Sequence, residues 1–234
     1  MKTIRSSDIV IKTLLDLMML GEIEPGGKLP STENIAKLTG TSVISAREAL
    51  QILSAIGLIE ISHGRGIFMT EGAPVIEELL EARKVIESNT VMMAAKNIDS
   101  ERLEHIENLL QQMEKDIKDG NIEAFSEKDY QYHLLITGAA GNRILLKTLE
   151  NIKELLLYQQ STINRLPNII RSSSLRHREI YEAMKKRDPD LAGAIMTRHI
   201  NEVIESWKKN AGSVQEKKVT SKQLHKIKRI RRTR

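Results

Sequence analysis

The spacing of apolar residues changes once along this chain, near residue 58, and that change limits the possible folds. Before it, apolar residues recur at helical intervals, as in the segment 11–18. Residues 58–61 and 66–69 then form two short β-like runs separated by the turn sequence S-H-G-R. Beyond residue 75 the periodic segments are again helical. The chain is therefore predicted to be mainly α-helical, with a β-hairpin near its N-terminus.

Three short helices are predicted before the hairpin. The first ends at Gly21, the second begins after Ser31 and ends at Gly40, and the third begins after Ser42 and ends at Gly57. Two helices joined by a tight turn and followed by a hairpin form a winged helix-turn-helix, whose second helix enters the major groove of DNA. A generic three-helix unit with a solvated hairpin fits the periodicity about equally well.

Residues 73–212 are predicted to form an all-helical bundle. The predicted helices cover residues 75–97, 100–119, 121–138, 143–166, 171–187 and 189–211. We therefore predict a first domain over 1–72, a second over 73–212 and a tail over 213–234, with a Gly-Ala-Pro linker at 72–74 between the first two. The tail lacks apolar periodicity, so it is predicted to be disordered.

The excess of positive over negative charge in the chain lies entirely in this tail. The whole sequence has a net charge of +5, but residues 213–234 alone carry nine Lys or Arg and one Glu. Because the rest of the chain is close to neutral, overall basicity is no evidence that the folded part binds DNA.

The sequence also excludes several classes of protein. It contains no cysteine, which excludes disulfides, thiolate metal sites and a cysteine nucleophile. It shows neither a signal peptide nor an apolar run of membrane-spanning length, so we expect a cytoplasmic protein without a membrane partner.

The first seventy residues resemble the GntR family of bacterial regulators. The matching motifs, in order, are E-P-G-G-K-L-P-S at 24–31, T-G-T-S at 39–42, R-E-A-L at 47–50 and G-R-G-I-F at 64–68. The resemblance implies a homodimeric transcriptional regulator that binds a palindromic double-stranded operator. Relatives of the FadR type carry arginine where this chain has Glu33 and Val43.

Residues for DNA contact are expected in two places, the third helix and the hairpin tip. They are Ser42, Ser45 and Arg47 in the helix, and His63, Gly64, Arg65 and Gly66 in the wing. The helix residues lie near its N-terminal end, which is the end that meets base edges. The resemblance implies that Arg47 contacts DNA and that the wing approaches the minor groove.

A possible metal site lies in the helical part. Asp129 and His133 are four residues apart, so both side chains leave one face of a helix and can bind one divalent ion. His177 and His199, in two later helices, could complete a set of three nitrogens and one oxygen. Spacing alone also fits four ordinary polar residues on helix surfaces.

Residues 75–205 resemble the ligand-binding domain of the FadR subfamily, often called FCD. The resemblance depends on R-x-x-x-E at 83–87, D-x-x-x-H at 129–133, A-G-N at 140–142, H-x-x-x-Y at 177–181 and H-I at 199–200. In that family one aspartate and three histidines bind a divalent metal at the base of a pocket for small carboxylates or sugar acids. The resemblance implies that Asp129, His133, His177 and His199 bind Zn²⁺, with Ni²⁺ and Mn²⁺ as alternatives.

Two further residues are candidates for effector binding. The guanidinium of Arg83 could pair with an effector carboxylate, although an ion pair with Glu87 one turn later explains it about equally well. Asn142 is the second candidate, and its alternative role is to cap a helix.

These observations predict a transcriptional regulator, acting as a repressor, whose operator affinity is controlled by a small organic acid. One alternative is a metal-dependent enzyme acting on such an acid. The sequence has no H-E-x-x-H arrangement that would place a general base beside the metal, so an enzyme is not expected. The other alternative is a constitutive DNA-binding protein without an effector.

Overall fold

The computed structural model describes residues 5–19, 21–70, 75–166 and 168–215. The first unit contains α1 (Ser6–Met19), α2 (Thr32–Thr39), α3 (Val43–Ala55), β1 (Ile59–Ser62) and β2 (Gly66–Met69). The second compact unit spans Ile76–Asn210. The remaining helices are α4 (Val75–Asn97), α5 (Ser100–Lys118), α6 (Ile122–Ala139), α7 (Arg143–Asn151), α8 (Lys153–Ile163), α9 (Ile169–Lys185) and α10 (Pro189–Gln215). The mainly α-helical fold class is confirmed.

Three helices form the core of the first unit. α1 packs against α2 and α3, and fully buried side chains such as Ile11, Ile35 and Leu53 fill the space between them. The predicted caps are present: the Ser31 hydroxyl accepts from the backbone N–H of Asn34, and the Ser42 hydroxyl accepts from that of Ser45. Gly40 ends α2 in the left-handed conformation, with a φ of 70°.

The hairpin is antiparallel and begins one residue later than predicted, with Ile59 opposite Met69 and Ser62 opposite Gly66. A third segment lies beside β2. The Leu29 N–H donates to the Ile67 carbonyl at 2.8 Å, and the Met69 N–H donates to the Gly27 carbonyl at 2.8 Å. The segment after the E-P-G-G turn therefore supports the hairpin along its second strand.

α6 is the central helix of the second unit. It packs against α5, α7 and α8, and α5 also packs against α9. The Phe125 and Tyr132 side chains on α6 are fully buried, and the Tyr132 hydroxyl donates to the His177 carbonyl on α9 at 2.9 Å. Because α6 has neighbours on several sides, polar residues on it are also buried.

The predicted single helix over 143–166 is wrong. The chain forms α7 and α8, which meet at Ile152 with a φ of −104° and a ψ of 18°. Asn151 and the β-branched Ile152 are both weak helix formers, so a turn costs little at this position. No Gly or Pro marks the break in the sequence, which explains why periodicity missed it.

Two predictions fall largely on residues that the structure does not describe. The Gly-Ala-Pro linker at 72–74 lies outside the described residues, as does the tail from residue 216 onward. α10 continues to Gln215, beyond the predicted start of the tail. None of the helices in the described ranges combines the length and the apolar character needed to cross a membrane.

Candidate functional site

α3 presents one face to the core and the opposite face to solvent. Its buried residues are Ala46, Ala49, Leu50 and Leu53. Ile44, Arg47 and Gln51 are exposed and follow at intervals of three and four, so they form one stripe on the other face. The Ser42 and Ser45 hydroxyls lie 2.9 Å apart and hydrogen-bond to each other at the start of the helix. Arg47 is thus available to a partner without any change in the core.

The hairpin tip carries the predicted wing residues in an exposed turn. His63, Gly64 and Arg65 are exposed, and the Arg65 N–H donates to the Ser62 carbonyl at 3.1 Å. Gly64 has a φ of 74°, a conformation that favours glycine. The tip therefore offers a small, basic surface.

Lys28 belongs to the same surface, although sequence reasoning did not select it. Its ammonium nitrogen lies 5.7 Å from the centre of the Phe68 ring, and the Arg65 guanidinium lies 6.0 Å from it. A Cβ atom at Gly66 would lie 2.7 Å from Cε of Lys28, so this glycine lets the lysine stem cross the hairpin. The sequence places Lys28 directly after the Gly-Gly turn, which is a sign that it lies near the hairpin. The sequence does not reveal that Lys28 pairs with Phe68 of β2.

The four predicted metal ligands lie together in the second unit. Asp129 and His133 are on α6, His177 is on α9 and His199 is on α10, and all four are buried. One nitrogen from each histidine lies within 4.8 Å of the others. The Asp129 Oδ1 atom is 3.5 Å from His133 Nε2 and 3.3 Å from His177 Nε2. Three helices thus bring the four side chains to one point.

These atoms have the spacing of metal ligands. A tetrahedral ion with ligand bonds of about 2.1 Å would hold neighbouring ligand atoms about 3.4 Å apart. Asp129 Oδ1, His133 Nε2 and His177 Nε2 are buried and have no hydrogen-bond partner among the described residues. Unpaired buried polar groups are costly. The donor set therefore fits a divalent cation in both chemistry and distance.

The electrostatics of the cluster keep three of its four donors in the forms that bind metals. At the fourth, His133, burial lowers the pKa, but Glu87 and Asp129 outweigh this effect and raise it, so a metal would have to displace a proton there. Burial lowers the pKa of His177 to about 3 and lowers the pKa of His199 well below its usual range, so both imidazoles are neutral. Burial raises the pKa of Asp129, but the neighbouring His133 and the cationic Arg83 outweigh this effect and lower it to about 2. An ionised carboxylate and neutral imidazoles have the lone pairs that coordination requires.

Glu87 on α4 is a further part of the site that sequence reasoning did not assign to the metal. Its Oε2 atom lies 2.7 Å from His133 Nδ1, and both side chains are buried. Burial raises the pKa of Glu87, but Arg83 and His133 outweigh this effect and hold it well below the usual range. A carboxylate at Nδ1 fixes the imidazole tautomer and leaves Nε2 directed at the cluster.

Arg83 forms the ion pair that the sequence allowed as an alternative to effector binding. Its Nε donates to Glu87 Oε1 at 2.8 Å, and its Nη1 donates to Gln159 Oε1 on α8 at 2.7 Å. Arg83, Glu87, His133 and Gln160 line a cleft too narrow for a water molecule. The effector role of Arg83 stays a prediction, and it requires this cleft to open.

Asn142 caps α7, because its Oδ1 accepts from the N–H groups of Ile144 and Leu145 at 3.1 and 3.2 Å. It is not among the residues that line the cleft at Arg83. Its effector role also stays a prediction. His105, which matches no ligand position, is exposed on α5, away from the buried cluster.

Asn164, at the C-terminal end of α8, supports the aspartate of the cluster. Its Nδ2 donates to Ser126 Oγ at 3.0 Å and lies 3.4 Å from Asp129 Oδ2. Asn164 also lines a cavity of about 320 Å³, which none of the four predicted metal ligands lines. This contact spans 35 residues of chain, so no local pattern could reveal it.

Comparison with known families agrees with this division of the chain. Residues 7–69 match the profile described as "Bacterial regulatory proteins, gntR family". Residues 78–202 match the profile of the FCD domain. The first match covers α1 to β2, and the second covers the four predicted metal ligands.

Individual proteins give the same result. The chain is 28% identical over 208 residues to the HTH-type transcriptional regulator LutR of Bacillus subtilis, covering 78% of this chain and 92% of that protein. It is 27% identical to the Uxu operon transcriptional regulator of Escherichia coli, covering 80% and 81%. Among solved structures, E. coli McbR/YncC aligns with a TM-score of 0.63 at 20% identity, covering 88% of this chain and 99% of that one, which supports the fold.

Proposed function

We propose that a small carboxylate bound beside a divalent metal controls the operator affinity of this protein. The chain belongs to the gntR family of bacterial regulatory proteins and carries an FCD domain, so it is a DNA-binding transcriptional regulator. Its relatives are transcriptional regulators rather than enzymes, and so is this protein. In our proposal residues 1–72 bind DNA and 73–212 bind the effector and form the homodimer. The basic segment 213–234 adds attraction to the DNA backbone.

The observation that carries the proposal is the buried cluster of Asp129, His133, His177 and His199, in which Asp129 Oδ1, His133 Nε2 and His177 Nε2 lack hydrogen-bond partners among the described residues. These four side chains would hold the ion. Zn²⁺ suits three imidazoles and one carboxylate best, and Ni²⁺ and Mn²⁺ are the alternatives. When bound, the ion supplies a positive charge that can bind an oxygen of a carboxylate.

The charge of the site favours an anionic effector once a metal is bound. With neutral histidines, Arg83, Glu87 and Asp129 together carry one net negative charge, which attracts a cation into a buried site. A divalent ion would reverse the sign and leave one net positive charge. A small organic acid would restore neutrality, whereas an uncharged analogue would not.

The guanidinium of Arg83 supplies the second anchor for that acid. Its present partners are Glu87 on the same helix and Gln159 on α8. A carboxylate that reaches Arg83 must displace one of them or use the remaining N–H donors of the fork. Asn142 would contribute through its amide nitrogen, because its oxygen caps α7.

The effector signal can leave the site through α4, which carries both Arg83 and Glu87. α4 is the first helix after the hairpin, and only residues 70–74 separate it from β2. An effector changes DNA affinity only if it prefers one arrangement of the DNA-binding domains over another. In our proposal the arrangement favoured by the acid fits a palindromic double-stranded operator less well, and the protein acts as a repressor.

The test is release of operator DNA by carboxylates. An operator is selected from random duplexes with the 234-residue chain, and its complex with zinc-loaded protein is followed by fluorescence anisotropy. Lactate, glucuronate and other small acids are added, each paired with its amide as a matched uncharged control. We expect one class of acid to release the DNA and its amide to have no effect. A DNA complex that no acid weakens would make the protein a constitutive binder and overturn the proposal.

A substitution at Glu87 tests how the metal ligands are positioned. Glu87→Gln keeps an acceptor for Arg83 but removes the charge at His133 Nδ1, so we expect zinc affinity to fall about 10- to 100-fold. Competition with a fluorescent zinc chelator measures this change. Glu101→Gln, at an exposed position on α5, is the control and should leave affinity unchanged. Equal zinc affinity in the Glu87 variant and the wild type would remove Glu87 from the metal site.

A further inference from the structure

We propose that Val43 and Ile44, in the first turn of α3, recognise thymine methyl groups in the major groove, so that thymines of the operator half-site face this turn. The inference depends on the proposed entry of α3 into the groove. It adds a specificity determinant that is apolar and independent of Arg47.

The starting observation is the exposure of two large apolar side chains at one helix end. Ile44 is 79% exposed, the highest value among the large hydrophobic residues that the structure describes, and Val43 is 38% exposed. Both side chains lie outside the core because α3 packs against the rest of this unit through its opposite face. On a helix that is proposed to enter the major groove, two adjacent exposed apolar side chains at its N-terminal end are placed to contact DNA.

The polar groups of the same turn are already engaged. Ser42 Oγ accepts from the Ser45 N–H at 3.1 Å, and the two hydroxyls bond to each other at 2.9 Å. Apolar surface is therefore a large part of what this turn offers. The N-terminal residues of the second helix in a helix-turn-helix are those that meet base edges.

The major groove offers a single apolar group among its base edges, the 5-methyl group of thymine. The thymine methyl group is therefore the apolar partner that this groove offers to Val43 and Ile44. Arg47 lies three and four residues further along α3, on the same side as this pair. A guanine next to the thymines would fit its guanidinium, because arginine pairs with the O6 and N7 atoms of guanine.

The experiment removes the methyl groups from the DNA rather than from the protein alone. In the operator selected with the 234-residue chain, each thymine is replaced in turn by deoxyuridine, which lacks only the 5-methyl group. We expect about a fourfold loss of affinity for each methyl that contacts the apolar pair. The same substitutions should have no effect at thymines elsewhere in the operator.

A variant of the protein completes the cycle. Val43→Ala combined with Ile44→Ala should bind the thymine operator more weakly and should lose little or no further affinity when deoxyuridine replaces thymine at the sensitive positions. Leu175→Ala, at a site on α9 that is 54% exposed, should retain the full penalty. A deoxyuridine penalty that persists when both Val43 and Ile44 are alanine, or the absence of any penalty in the wild type, would overturn the inference. If Arg47→Ala still weakens binding in that case, α3 enters the groove and only the apolar recognition is wrong.

Discussion

Replacing Arg47 with alanine should weaken specific operator binding about 5- to 150-fold, which corresponds to about 1–3 kcal/mol for one lost base contact. Arg47 is exposed on the face of α3 that lies opposite the core. Alanine is a good helix former, so the fold should survive and the melting temperature should stay nearly constant. Fluorescence anisotropy with the selected operator measures the loss.

The matched control for this experiment is Arg198→Ala. Arg198 is also an exposed arginine on a helix, but it lies on α10 in the second unit. It should leave the operator affinity unchanged. If Arg47→Ala lowers the affinity for the operator and for random DNA equally, Arg47 contacts a phosphate rather than a base edge. An unchanged affinity would mean that another element reads the operator.

The second large effect is expected when the metal site loses two ligands. His177→Ala with His199→Ala removes one ligand each from α9 and α10. The metal content measured by elemental analysis should therefore fall from about one ion per chain to near zero. A ligand present at 100 times its dissociation constant stabilises a fold by about 2.7 kcal/mol. We therefore expect the melting temperature to drop by about 5–10 °C.

Two comparisons separate metal loss from simple cavity formation in the buried cluster. Wild-type protein treated with a chelator should lose a similar part of its stability, and adding zinc should restore the wild type but not the double variant. His105→Ala, at an exposed position on α5, should keep both metal and stability. If the double variant binds as much metal as the wild type, the assigned ligands are wrong.

Local chemistry made much of the fold predictable from the sequence. Ser31 and Ser42 cap helices as expected because a short hydroxyl side chain can accept from a backbone N–H two or three residues later. Gly40 ends α2 because the turn there requires a positive φ. The break at Ile152 escaped prediction, since no glycine or proline marks it and the apolar spacing continues across it.

The candidate site was predictable only where its residues share a helix or a family motif. Asp129 and His133 are four residues apart on α6, so their joint orientation follows from helix geometry. Gln159 and Asn164 reach the site from α8, and their contacts with Arg83 and Asp129 join residues 76 and 35 positions apart. Such contacts are set by packing between helices, which no local pattern encodes.

The central claim is that the acid and the operator each weaken the binding of the other to this protein. Thermodynamic linkage between the two binding equilibria tests it most directly. Calorimetry measures the affinity of the active acid for zinc-loaded protein, first alone and then saturated with operator. Since coupling is reciprocal, the acid must bind the operator complex more weakly, by the same factor by which it lowers DNA affinity. The account predicts this equality for the zinc-loaded wild type and no acid binding to the double histidine variant. Equal acid affinity with and without operator, or full acid affinity in the variant, would contradict it.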